Sequence, residues 1–267
     1  KSLEYAKEMY RGAIDIDPDY ALAWAGLAAS AAQVAHLYPG VSSSEDDIAQ
    51  ADRASAKALD LDPTLADAHA ARGFALFLLE QYEEAEAAFQ RAIELDPQQF
   101  EAHFFYGRTC FQQGRFEDAL RLFSAASEIG EHYEAAFFAA QSLEAMDRSE
   151  EAAVFYRASL EASESHMALN PDDPRAATFR AVAHGRLDER EEGFKWAERA
   201  LSIDPADAGV KYNVACLYAV EGEVSRAVDI LEQAVDAGFS RRAWVENDPD
   251  LDALRDDARF QGLLERI

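Results

Sequence analysis

The amino-acid sequence predicts an all-α fold of stacked helix pairs, and three observations carry that prediction. One helix ending is written four times: "MYRGAIDIDP" closing at Pro18, "ASAKALDLDP" at Pro63, "AFQRAIELDP" at Pro97 and "WAERALSIDP" at Pro205. Pro63 and Pro97 stand 34 residues apart, the length of a repeated two-helix unit. Small and large residues then recur at fixed places on that ruler. Gly73, Ala85, Phe89, Ala92 and Pro97 fall at positions 8, 20, 24, 27 and 32 of a unit starting at residue 66. Small residues at 8, 20 and 27 let helices approach closely, and large ones at 24 fill the remaining volume. Proline at 32 lacks an N–H and disfavours helical geometry in the residue before it, so the second helix must stop there.

Taken in order, residues 1–20 read as a second helix only, with Ala6, Tyr10 and Ala13 in register. Its partner helix is expected upstream, and the first residue, Lys1, points to a piece of a longer protein. An uncovered apolar stripe is therefore expected here, with either fraying or pairing to another molecule. Residues 21–65 form a longer unit carrying Trp24 and Leu27; its extra length falls at "LYPGVSSSEDD", where Pro39-Gly40 breaks a helix and Ser44 is a candidate cap. Units of regular length follow at 66–99 and at 100–132, the latter with Tyr106, Gly107, Ala119, Phe123 and Ala126. The unit at 133–173 is expected to run its second helix on through "ASESHMALN" until Pro171 and Pro174 end it. Units 174–207 and 208–241 keep Ala181, Ala200 and Pro205, then Ala215, Tyr218, Ala227, Leu231 and Ala234. Residues 242–267 change pattern. Two short helices, starting at Pro249 after Asp248 and after Asp257, would close the exposed face of the last unit with Leu251, Leu254, Phe260, Leu263 and Leu264.

With these residues in register over nearly the whole chain, the sequence resembles the tetratricopeptide repeat (TPR) family. The resemblance implies an α-solenoid, a right-handed superhelix of helix-turn-helix repeats with a C-terminal helical cap. The closing "YNVACLYAVEGEVSRAVDILEQAVDAGF", followed by Trp244 and "NDPDLDALRDDARF", is similar to the end of TPR modules in bacterial multidomain signalling proteins. Those modules are joined to Ser/Thr kinase, nucleotide cyclase or winged-helix regulator domains.

Composition narrows the partners. Fifty-one acidic against 25 basic residues give a formal charge of -26, which argues against a nucleic-acid phosphate backbone as partner. Only five bases are lysine, and the acidic, lysine-poor surface is compatible with life in concentrated salt. No apolar run approaches the ~20 residues of a membrane span. Cys110 and Cys216 lack metal-ligand spacing and read as core residues, weakly favouring a reducing, cytoplasmic compartment. No catalytic constellation stands out: there is no phosphate-cradling loop, no nucleophile elbow and no His-Glu-x-x-His. His69 and His103, 34 apart, both occupy position 4, where an aromatic packs, so a structural role is expected rather than a metal. The pairs Glu83-Glu84 and Glu150-Glu151 begin helices and suit the helix dipole. The chain is thus expected to be no enzyme and to need neither metal nor cofactor.

In the TPR family the first helix of each pair lines a concave groove with positions 2, 5, 9, 12 and 13. The resemblance places Phe74, Phe77, Phe104, Arg108, Phe111, Phe137, Gln141, Thr178 and Tyr212 on that stripe as candidate ligand-binding residues. An aromatic trough suits a peptide or an amphipathic helix. Asn213 and Arg108 do not complete the Lys/Asn set with which TPR co-chaperones hold a C-terminal carboxylate, so a chaperone-tail clamp is not expected. The expected role is a protein- or peptide-binding module of a larger bacterial signalling protein. The alternative is a self-standing assembly scaffold, including a homodimer through the uncovered N-terminal half-repeat; a third reading places a transferase upstream.

Overall fold

A computed structural model describes residues 2–37, 44–130, 132–240 and 242–267; they form helices joined by short turns. The chain divides into two compact units, Lys1–Glu131 and His132–Ile267. Unit 1 holds α1 (Ser2–Ile16), α2 (Ala21–Leu37), α3 (Ser44–Leu61), α4 (Ala66–Leu78), α5 (Tyr82–Leu95), α6 (Phe100–Gln112) and α7 (Phe116–Ile129). Unit 2 holds α8 (Tyr133–Glu144), α9 (Ser149–Leu169), α10 (Pro174–Arg186), α11 (Arg190–Ile203), α12 (Ala208–Val220) and α13 (Val224–Asp236). It closes with α14 (Arg242–Asn247), a 3₁₀ segment (Pro249–Leu254) and α15 (Ala258–Leu264). The fold is an all-α solenoid of helix pairs, each a first helix A (α2, α4, α6, α8, α10, α12) followed by a second helix B. The expected break at Pro39-Gly40 and the Trp244 side chain lie outside the described residues.

The four Asp-Pro endings share one local mechanism. In each, the aspartate Oδ1 accepts from the backbone N–H two residues on: Asp17 from Asp19 at 3.1 Å, Asp62 from Thr64 at 2.9 Å, Asp96 from Gln98 at 2.9 Å and Asp204 from Ala206 at 3.0 Å. The helix is thus stopped by proline and turned by aspartate. Hydrogen bonds from the Thr64 hydroxyl and amide hold the Asp62 carboxyl below its usual range. The carbonyl of the proline is then used as well. In unit 1 the ring at position 4 of the following helix A donates to it: Trp24 to Pro18 at 2.9 Å, His69 to Pro63 at 2.9 Å and His103 to Pro97 at 3.1 Å. The two histidines are therefore ring donors in a repeated turn.

Helices A and B meet in a turn that repeats equally well. Glu80, Gly114, Asp147, Asp188 and Gly222, all at position 15, have φ of 60°, 73°, 58°, 60° and 75°. The left-handed residue lets the next N–H fold back on helix A, as Gln81 does to Leu76 (2.9 Å) and Arg115 to Cys110 (2.9 Å).

Packing follows the small-and-large register. Ala85, Ala92, Ala119, Ala126, Ala181, Ala200, Ala215, Ala227 and Ala234 are fully buried, as are Phe89, Phe123 and Leu231. A Cβ on Gly73 would stand 2.5 Å from the Phe89 ring, and one on Gly107 2.8 Å from Phe123, so these glycines set the helix separation. At the C-terminus Leu251, Leu254, Phe260, Leu263 and Leu264 join one core with Val214, Tyr218 and Leu231. Asp248 caps the 3₁₀ segment and Asp257 caps α15, at the two expected starts. Helix α14 is an addition that sequence reading did not contain; six residues are too few to show a helical period. At the other end, α1 buries Ile14 against α2 and pairs Lys7 with Asp47 in a buried contact. Its opposite stripe is bare: Tyr5 is 64%, Met9 57% and Ile16 88% exposed.

Candidate functional site

The stripe on the A helices is only partly a surface. On α4 of unit 1, Phe74 (3% exposed) and Phe77 are buried; Phe74 stacks on Phe105 with ring centroids 3.6 Å apart, and His36 meets Phe74, Phe77 and Phe105 edge-on. Phe104 on α6 is buried against Phe100, Phe105 and Phe123. On α8 of unit 2, Phe137 is buried, its ring edge-on to Phe179 at 4.7 Å and to Tyr156 at 5.4 Å. Thr178 is buried and donates to the Pro174 carbonyl at 2.8 Å. Tyr212 is buried on Phe239 (4.3 Å) and donates its hydroxyl to the Asp248 carboxylate at 2.5 Å. Of the nine candidate groove residues, Phe74, Phe77, Phe104, Phe137, Thr178 and Tyr212 are thus buried against neighbouring groups and not open on the surface. The physical reason is that helical periodicity names the face of a helix, whereas the neighbouring aromatic rings decide whether that face stays open.

Three of the nine keep surface. Arg108 and Phe111 on α6 are half-buried one turn apart, with Phe111 edge-on to Phe116 at 5.4 Å, and Glu101 and Gln112 on the same helix are exposed. Gln141 on α8 is half-buried, in line with the half-buried Glu144. What remains accessible on the A helices is mixed and polar, with Phe111 as its aromatic member among the nine candidates.

At the C-terminal end of unit 2 the cap itself covers the stripe. Besides taking the Tyr212 hydroxyl, Asp248 lies 3.7 Å from the Cys216 Sγ. Arg186 on α10 donates to both Asp250 oxygens, at 2.8 and 3.0 Å. The same guanidinium lies 3.8 Å from Glu144, which accepts from the Tyr156 hydroxyl at 2.7 Å. Burial, reinforced by Glu144, pushes the Tyr156 hydroxyl up; burial and then the neighbouring Cys216 and Asp248 do the same for Tyr212. Sequence reading does not reach this network. Glu144 and Arg186 fall on the stripe, but Asp250, the carboxylate that Arg186 grips, lies 64 residues beyond it, and no local pattern signals it.

The remaining chemistry is muted. Burial pushes the Cys110 thiol up to about 11 and Cys216 well above its ordinary value, so both stay protonated and poorly nucleophilic. Among the described residues no group of three His, Cys, Asp or Glu side chains is placed to hold a metal ion. No helix among them is long and apolar enough to cross a membrane.

The solenoid built on these turns and small-residue seams defines the class, and comparison with known proteins agrees. The tetratricopeptide-repeat sequence model matches residues 45–99 and 71–131. These matches, which lie within residues 45–131, support a tetratricopeptide repeat family for the chain. Over 85 residues it is 32% identical to a chloroplastic protein of Arabidopsis thaliana, a match covering 32% of this chain and 25% of that protein. The likeness therefore spans about a quarter of that relative's length. Among solved structures, the chain superposes on the APC/C hetero-tetramer Cut9-Hcn1 with a TM-score of 0.65 at 13% identity, covering 99% of this chain and 45% of that one. It superposes on a tetratricopeptide repeat protein from Parabacteroides merdae with a TM-score of 0.56 at 15% identity, covering 99% and 91%. At these identities the two likenesses speak for the fold alone.

Proposed function

We propose that this chain is a non-catalytic interaction module that binds a protein or peptide segment on its A helices. One observation carries the reading. Arg108 and Phe111 stay half-open one turn apart on α6, between the exposed Glu101 and Gln112, while the rings behind them are packed rigid. A partly open aromatic beside a guanidinium, held on a fixed helix, offers an apolar contact and a directional donor together. Within unit 2, Gln141 on α8 is a separate half-buried polar candidate. The similarity of the closing segment to bacterial signalling modules supports a regulatory or sensor role in a larger cytoplasmic protein. The test is quantitative affinity capture with wild type and with Arg108→Ala/Phe111→Ala. Specific partners should fall by about tenfold with the helical circular dichroism unchanged; equal recovery by the double variant would refute the reading.

A second reading, a self-standing assembly scaffold, is favoured by α1. Tyr5, Met9, Gly12 and Ile16 lie at i, i+4, i+7 and i+11, one stripe of the helix, and the three large side chains on it are exposed. Under that reading Met9→Glu/Ile16→Glu abolishes self-association measured by light scattering, and a monomeric wild type at high concentration contradicts it.

A further inference from the structure

In a stack of helix pairs each pair touches its neighbours, so side-chain links are expected to join adjacent pairs. Two ion pairs of unit 2 follow that rule. Arg175 on α10 pairs with Glu134 on α8 at 3.1 Å, and Arg226 on α13 with Glu198 on α11 at 3.1 Å. Arg186 breaks it. From the end of α10 its guanidinium donates to both oxygens of Asp250, at 2.8 and 3.0 Å, and Asp250 lies in the cap, beyond the α12–α13 pair.

The long reach has a local cause. A Cβ on Gly185 would stand 2.6 Å from the Leu217 side chain, so α10 and α12 approach closely beside Arg186, and the guanidinium passes α12 to meet the cap. The turn that receives it is fixed. Leu251 and Leu254 are fully buried, and Asp248 accepts from the Tyr212 hydroxyl at 2.5 Å and from the Asp250 N–H at 2.9 Å. Arg255 donates to the Asp248 carbonyl at 3.0 Å.

A clasp that served the cap alone would end at Arg186. Instead its Nε lies 3.8 Å from Glu144 at the end of α8, and Glu144 accepts from the Tyr156 hydroxyl of α9 at 2.7 Å. Burial opposes the Arg186 charge, and Asp250 and Glu144 more than offset that opposition. In such partly dry surroundings linked polar contacts strengthen one another. We infer that Asp250, Arg186 and Glu144 form a latch that couples the C-terminal cap to the α8–α9 pair, so that loosening the cap loosens the first helix pair of unit 2. Coupling of this kind travels through a contiguous chain of contacts, and every link of this one is present. A segment or partner that moves the cap thereby alters the rigidity of α8, on which Gln141 lies one turn before Glu144. The latch rests on the contacts within unit 2 and not on what binds there.

Hydrogen–deuterium exchange of the full chain, with no partner present, tests the latch. Asp250→Asn keeps the shape of the turn and removes its charge. Amides in the last turn of α8 and around Tyr156 in α9 should then exchange at least about threefold faster. Asp257→Ala is the control. Asp257 caps α15 by accepting from the Arg259 N–H (2.8 Å) and the Phe260 N–H (3.3 Å), so its loss should loosen α15 and leave α8 and α9 unchanged. Glu144→Gln breaks the bridge from its other end. Asp250→Asn/Glu144→Gln should therefore accelerate α9 by clearly less than the product of the two single effects. The inference is overturned if Asp250→Asn leaves α8 and α9 unchanged, if Asp257→Ala accelerates them equally, or if the single effects multiply.

Discussion

Glu80 holds φ at 60°, a conformation that glycine adopts freely and a glutamate does not, and Glu80→Gly isolates what that costs. The side chain is exposed, so little packing is lost. The two backbone hydrogen bonds of the turn, Glu80 N–H to Phe77 (3.1 Å) and Gln81 N–H to Leu76 (2.9 Å), survive the change. Relief of the left-handed strain is worth roughly 1–2 kcal/mol. Glycine's greater freedom in the unfolded chain returns roughly 0.5–1 kcal/mol of that. The net expectation is stabilisation by about 0.5–1 kcal/mol, a melting-point rise of about 2–4 °C at most for a chain of this size. Asp147→Gly and Asp188→Gly should gain less, because aspartate tolerates this region better than glutamate. In the opposite sense, Gly114→Ala and Gly222→Ala, at φ 73° and 75°, should each lose about 1 kcal/mol. Urea unfolding followed by circular dichroism measures all five. A lower midpoint for Glu80→Gly, or unchanged midpoints for both alanine variants, would show that position 15 is not the strained element of the turn.

Other predictions test the packing and the charges. Phe123→Ala, at a fully buried ring, should cost about 3–5 kcal/mol, and Phe104→Ala should also be costly, whereas the half-open Phe111→Ala should cost clearly less; the same urea series ranks them. Burial lowers the pKa of His103, so the unfolded chain takes up that proton more readily than the folded one. Its contribution is therefore complete above the ordinary histidine value near 6.5 and is lost as pH falls below it. His103→Gln keeps a donor for the Pro97 carbonyl without a titrating ring, so wild type should lose stability relative to the variant as pH falls from about 7.5 to 5, and a pH-independent difference would refute the assignment. With a formal charge of -26, screening of self-repulsion should raise the melting temperature from dilute buffer to molar KCl, and a flat response would remove the salt-adapted reading of the surface.

Much of the architecture was legible because each repeat writes its own stops and seams. Pro97 marks the end of α5, and Gly73 opposite Phe89 marks a close approach, both as local signals. The aspartates before the prolines were equally visible, yet their role as acceptors emerged only with the turn geometry. Position 15 was hidden by its own variability, since Glu80, Gly114 and Asp147 share a conformation but no side-chain chemistry. The candidate surface was legible as a face and not as an opening. Phe74 and Phe105 stack across two helices, and Tyr212 meets Asp248 36 residues later, so burial depended on partners that periodicity cannot name. The long α9 was read from the sequence, where Pro171 and Pro174 end it.

Hydrogen–deuterium exchange of the full chain with a captured partner bound tests most directly whether recognition runs along the A helices. The account predicts slowed exchange on α6 around Arg108 and Phe111. Protection confined to the B helices, with α6 unchanged, would contradict it.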